Sequence, residues 1–206
     1  MEAMSLVALS LQSPDTSADV GFLQVLGFAL CELEDGRARL VPASGPELWL
    51  QSGESARLAA VFDGLGPLRD LEGNPLIYEP PPAAATSRGQ AEVLGPVYPV
   101  VDLVSSITWY EKQLGLTEAF RDEVTQWAEL SDAAGRRLVL AFTPDLDTPA
   151  MLALRVRDAA AEVERLREYD LAPIWTRGVP WGRMAAYLSP GGLPVLLVER
   201  ASSNSD

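Results

Sequence analysis

One pattern is written twice between residues 96 and 198, and it limits the folds open to this chain. Pro96-Val97-Tyr98-Pro99-Val100-Val101 is an apolar run that reads as a strand. Asp102 follows, placed to cap a helix in which Ile107, Tyr110 and Leu114 recur at helical spacing, and Gly115 stops it. Gly115–Arg121 then leads into strands at Thr125–Leu130 and Arg137–Phe142, joined by the turn Asp132-Ala133-Ala134-Gly135. The order restarts with the strand Met151–Val156 and with Asp158, which opens a helix carrying Ala159, Val163 and Leu166 on one face. Strands near Leu171–Trp175, Met184–Leu188 and Pro194–Val198 complete the copy, the last two joined by Ser189-Pro190-Gly191-Gly192. Each copy is one β-α-β-β-β unit, and repetition of this kind marks a modular α+β architecture.

The first 80 residues echo the pattern. Leu6–Leu11 reads as a strand, and Asp15, Phe22 and Leu26-Gly27-Phe28 parallel Asp102, Tyr110 and Leu114-Gly115-Leu116. Phe28–Leu33 and Arg37–Val41 form a hairpin around Glu34-Asp35-Gly36, and Glu47–Gln51 is a further short strand. Between Gln51 and Asp70 there is room for one helix, at Ser55–Phe62, but not for every strand of a second unit. The chain therefore divides into a shortened module at 1–80, a Pro/Ala-rich linker at 81–91, a complete domain at 92–200 and a disordered tail at 201–206. A shortened sheet leaves an apolar face or a strand edge to cover, by packing on the second domain or by pairing in a homodimer.

Composition narrows the function. The net charge of −13 repels phosphate backbones and argues against a nucleic-acid partner. No apolar run is long enough to cross a bilayer, and Met1-Glu2-Ala3-Met4 lacks the basic start of a secretion signal, so a cytoplasmic protein is expected. Cys31 is the only cysteine and cannot form an internal disulfide; its apolar strand setting reads as a buried, inert thiol. The chain contains no histidine, which removes serine-histidine-carboxylate chemistry and the commonest metal ligand.

Three motif groups then carry a resemblance. They are Val100-Val101-Asp102-Leu103 leading to Trp109-Tyr110 and Leu114-Gly115-Leu116; Leu154-Arg155-Val156-Arg157-Asp158 entering a helix; and Pro180-Trp181-Gly182-Arg183 leading to Ser189-Pro190-Gly191-Gly192-Leu193-Pro194. In order and spacing, residues 93 to 199 resemble a complete domain of the vicinal oxygen chelate superfamily, the glyoxalase/bleomycin-resistance/extradiol-dioxygenase group. The resemblance implies paired modules curled into an open half-barrel whose cleft holds the ligand. It also implies metal ligands on the first strand of each module and on the last strand. Those positions fall at Gly95, Met151 and Leu196, and none carries a ligand suited to a hard or borderline divalent ion.

The expected metal site is therefore absent, with no cofactor implied, and the expectation leans away from an enzyme. Strand alternation places Met151, Ala153, Leu196 and Val198 on an apolar cleft floor. Trp127, Trp175 and Trp181 belong to segments that the resemblance sets near the cleft or its rim. Arg155 shares a face with Met151 and Ala153, and either anchors an anionic ligand group or pairs with a strand carboxylate such as Glu129. The candidate ligand-binding set is Trp127, Met151, Arg155, Trp175, Trp181 and Leu196. It fits metal-independent binding of a small, partly apolar molecule, as in antibiotic-sequestering members of that group. Two other readings stay open: a lyase, isomerase or oxygenase with an atypical site, and a degenerate domain acting through its surface.

Overall fold

The computed structural model describes residues 4–63, 68–78, 89–145 and 147–200. Most of the expected linker and all of the expected tail lie outside the described residues. The first half runs β1 (Leu6–Ser13), α1 (Thr16–Val25), β2 (Ala29–Glu34), β3 (Arg37–Val41), β4 (Glu47–Ser52), β5 (Arg57–Phe62), β6 (Leu68–Arg69) and β7 (Pro75–Tyr78). The second runs β8 (Glu92–Val100), α2 (Leu103–Leu114), β9 (Thr117–Asp122), β10 (Trp127–Ser131), β11 (Arg137–Phe142), β12 (Met151–Val156), α3 (Ala159–Arg167), β13 (Trp175–Val179), β14 (Gly182–Leu188) and β15 (Pro194–Arg200). Among the described residues no helix is long and apolar enough to cross a membrane.

The same local device starts each of the three helices among the described residues. Asp15, Asp102 and Asp158 each accept a hydrogen bond, at 3.0 Å, from the backbone N–H three residues on. Each carboxylate satisfies a donor that the first turn leaves without an intrahelical partner. Gly115 ends α2 in the left-handed conformation at φ 68°, where a side chain would be strained.

Strands β8 to β15 form one eight-stranded sheet in the order β13-β14-β15-β12-β8-β11-β10-β9. Within each unit the first strand pairs in parallel with the last, as β8 with β11 and β12 with β15. The units join where β12 meets β8 antiparallel. This is the α+β open half-barrel of paired β-α-β-β-β modules anticipated from the repeat. Boundaries shift in places: the strand expected at Leu171–Trp175 starts at Trp175, and Gly115–Arg121 contains the edge strand β9.

Strands β1 to β7 form a second sheet in the order β2-β3-β4-β1-β5-β7-β6. Its first unit is complete, while its second shows β5, β6 and β7 and no helix among the described residues. The helix expected at Ser55–Phe62 is instead β5, antiparallel to β1. A short apolar run carries no decisive period, and here β1 offers a free edge whose backbone groups need partners. Cys31 is half-buried rather than buried, because β2 is the outermost strand of its sheet.

One apolar core joins both sheets. It gathers Leu9, Leu11, Leu48 and Phe62 from the first sheet, Phe22 and Leu23 from α1, Ile107 and Tyr110 from α2, Leu166 from α3, and Leu140 and Leu197 from the second sheet. Polar contacts stitch the seam between the halves. The Tyr98 hydroxyl donates to the Pro75 carbonyl at 2.9 Å and accepts from the Ala60 N–H at 2.6 Å. The Tyr110 hydroxyl donates to Asp70 at 2.7 Å, Ser106 to Glu72 at 2.8 Å, and the Gly191 N–H to Asp19 at 2.8 Å. Burial pushes both tyrosine hydroxyls up, with the charge of Asp70 adding to the effect, so both stay protonated and able to donate.

Tyr98→Phe leaves the Ala60 N–H and the Pro75 carbonyl without this partner, inside the shared core. The expected cost is about 1–3 kcal/mol. Urea denaturation should show a lower midpoint, with no change in slope, because the two halves unfold together.

Candidate functional site

The concave face of the half-barrel carries its own apolar cluster, separate from the shared core. Leu94, Val97, Trp127, Val139, Ala153, Met184, Ala186, Leu196 and Val198 are buried together, with Phe120, Met151, Val179 and Trp181 packed against them. The two arms of the curl meet at Trp181, in the turn between β13 and β14. Its ring lies 5.5 Å from that of Trp127 and 5.8 Å, edge to face, from that of Phe120. Its indole N–H donates to the Thr125 hydroxyl at 3.1 Å, and that hydroxyl in turn donates to Asp122. The hydroxyl and backbone N–H of Thr125 hold the Asp122 carboxyl below its ordinary range. Trp181 thus bridges the mouth of the half-barrel from the second module to the first.

Beneath this aromatic group lies a charged cluster. Glu129 on β10 is fully buried. One of its oxygens accepts from Arg200 at 2.6 Å and from the Trp127 indole at 3.3 Å, and the other accepts from Arg137. The Arg200 guanidinium also sits over the Phe120 ring, 3.9 Å from its centroid. Burial pushes the Arg200 pKa down against the opposing charge of Glu129, and the charges of Arg137 and Arg155 push it the same way as burial. Both Glu129 oxygens are therefore engaged, which leaves this carboxylate poorly placed to serve as a general base.

The residues at the ligand positions that the resemblance implies do not fit a divalent ion. Gly95, Met151 and Leu196 offer a hydrogen atom, a thioether and an alkyl group. The backbone closes the first position more firmly. Gly95 has φ 149°, beside an irregularity in the β8–β12 pairing, and a Cβ there would run into the Arg137 carbonyl. A histidine or carboxylate at 95 has no space to start from. Among the described residues no group of three or more His, Cys, Asp or Glu is placed to hold a metal ion.

The structure brings Trp127, Trp181, Met151 and Leu196 together on the concave face. Trp175 faces the same way from the edge strand and is 41% exposed. Arg155 does not pair with Glu129; it is exposed at the end of the face, across the ladder from Val198 and Glu92. The partners of Glu129 are Arg137 and Arg200, which the sequence reading did not single out. Alternation could have found them, because Glu129 shares a face with Trp127, and Arg200 with Val198. Glu199, at the end of β15, accepts from the first N–H of α3, that of Ala159, at 2.8 Å. Trp109 and Tyr110 pack edge to face at 5.0 Å as part of the core.

A second concavity lies at the junction of the halves. It is an open groove of about 1280 Å³ running from the end of α1 past residues 89–92 to the end of β12 and the start of α3. Gln24, Gln90, Arg155, Arg157, Glu162 and Tyr169 line it, so Arg155 stands between groove and half-barrel.

Paired β-α-β-β-β units around such a face define the vicinal oxygen chelate fold, and solved structures bear this out. The chain is similar to a catechol 2,3-dioxygenase, with TM-score 0.67 at 14% identity over 100% of this chain and 92% of that one. It is similar to the Mn(II)-bound glyoxalase from Novosphingobium aromaticivorans, with TM-score 0.68 at 12% identity over 94% and 81% of the two chains. It is also similar to the 2,3-dioxygenase LapB from Pseudomonas sp. KL28, with TM-score 0.67 at 8% identity over 98% and 95%. No protein-family model matches the sequence, and no curated protein matches it. At these identities the likeness is one of fold.

Gly95→Ala tests the closed ligand position directly. Strain at this φ and overlap with the Arg137 carbonyl should together cost about 2–4 kcal/mol. Thermal unfolding of the variant should fall clearly below that of the parent, whereas Gly178→Ala, with open space around its Cβ, should change it little.

Proposed function

We propose that the half-barrel works without a divalent metal, as a binding site for a small, partly apolar molecule. The observation that carries this reading is the replacement of the family's ligand positions by Gly95, Met151 and Leu196, with the one fully buried carboxylate of the face committed to two arginines. Trp127, Trp181, Phe120 and Met151 offer flat and polarisable surface for such a molecule. Trp181 sits in a hairpin turn and is only half-buried, so its displacement is the natural way in. The dioxygenase and glyoxalase neighbours share the fold, but the residues of this face do not supply a metal centre for chemistry of the kind their names state. A cytoplasmic homodimer belongs to the same proposal, with the exposed edge strand β13 as a surface to be covered.

A second reading is favoured by the packing itself. Trp181 against Trp127 and Phe120 closes the mouth with the protein's own side chains, which suits a structural domain acting through its outer surface.

Native mass spectrometry of the full chain, purified without chelators and then exposed to Mn(II), Fe(II) and Zn(II), separates these readings from a metalloenzyme. The expected result is a metal-free protein that retains an organic adduct. One metal per chain would overturn the proposal. Absence of any adduct, together with unchanged tryptophan emission across a panel of neutral and charged aromatic compounds, would favour the sealed structural domain.

A further inference from the structure

The concave face gathers positive charge in a chain whose net charge is −13. Arg137, Arg155, Arg177 and Arg200 all alternate onto this side of their strands, each in step with a residue of the buried cluster or paired to one. Glu129 answers Arg137 and Arg200 only. Arg155 lies diagonally across the β12–β15 ladder from Arg200, since its register partner is Val198. Glu92, the cross-strand neighbour of Arg155 on the other side, is exposed and makes no ion pair with it among the described residues. The Arg200 Nε is buried and has no acceptor. Three guanidiniums thus converge where one buried carboxylate is shared by two of them, and one donor remains unsatisfied.

Water solvates the exposed Arg155, but the half-buried Arg200 keeps a donor for which no described side chain supplies an acceptor, and leaving it so is costly. We infer that the small molecule bound in this half-barrel is an organic anion, its carboxylate or equivalent group held between Arg155 and Arg200 and its apolar body laid against Phe120 and Trp181. This rests on the binding function proposed above and specifies its ligand class. A planar guanidinium pair suits the bidentate geometry of a carboxylate, and Phe120, already stacked under Arg200, continues directly into the Trp181 ring. The groove at the junction of the halves gives the ligand access to Arg155 from outside.

The test compares cinnamate with cinnamamide, which share shape and differ in charge, by equilibrium dialysis against the full chain at low ionic strength. Cinnamate should bind at least about tenfold more tightly than cinnamamide, and Arg155→Gln should remove about that factor for cinnamate alone. Arg155 is exposed and makes no ion pair among the described residues, so this variant should keep the parent's thermal stability; Arg155→Lys should recover part of the affinity. Equal affinity for the two compounds, or an unchanged cinnamate affinity in Arg155→Gln, overturns the anion assignment and leaves the binding function standing. No saturable binding of either compound overturns both.

Discussion

The apolar layer shared by the two sheets is the constraint from which the rest of the structure follows. Three short helices cover these faces, and none is long enough to be stable alone in water. They persist because Phe22 and Leu23, Ile107 and Tyr110, and Val163 and Leu166 enter one common core. That arrangement also explains how a seven-stranded sheet with an incomplete second unit survives beside a complete eight-stranded one. Its helix-bearing face is covered by the partner half, and the tyrosines of the seam meet the polar groups that burial would otherwise strand. The incomplete unit therefore depends on its neighbour for cover.

With the helix faces committed to that core, the opposite face of the second sheet is left to define the protein's chemistry. By the resemblance it is the face expected to hold a ligand. Here it has been rebuilt around packing and charge. Leucine, methionine and glycine stand at the positions where the resemblance implies metal donors, and an arginine–glutamate–arginine group sits nearby. A buried group of this kind contributes little net stability, because desolvating three charges offsets much of their attraction. Its persistence on the concave face is easier to understand as part of a site than as part of a scaffold. The excess of Arg155, Arg200 and Arg137 over Glu129 is what the proposed anion would answer.

Much of the fold was legible in the residues. The three capping aspartates, the glycine after Leu114 and the alternation in β12 and β15 depend on backbone geometry within a few residues, so they can be read in order along the chain. The concave placement of Met151 and Leu196 followed from the same alternation, and that of Trp127 and Trp181 from the resemblance. The state of Arg57–Phe62 did not, because a short apolar run suits either period and the open edge of β1 decided the matter. The burial of Cys31 was misjudged for a related reason: position within a sheet, centre or edge, is not a property of the strand's own sequence.

The amino-acid sequence by itself determined the repeated units, the absence of histidine and the lack of metal donors at the positions where the fold would use them. These are properties of residue identity and local spacing. Tertiary structure alone decided which guanidiniums reach Glu129, that Trp181 bridges the two arms of the half-barrel, and that Arg155 makes no ion pair among the described residues. Arg200 and Glu129 are 71 residues apart, and Trp181 and Thr125 are 56 apart. Such pairs meet only because the sheet curls until its two modules face each other. That curvature is set by the packing of both halves together, and no local period in the chain encodes it.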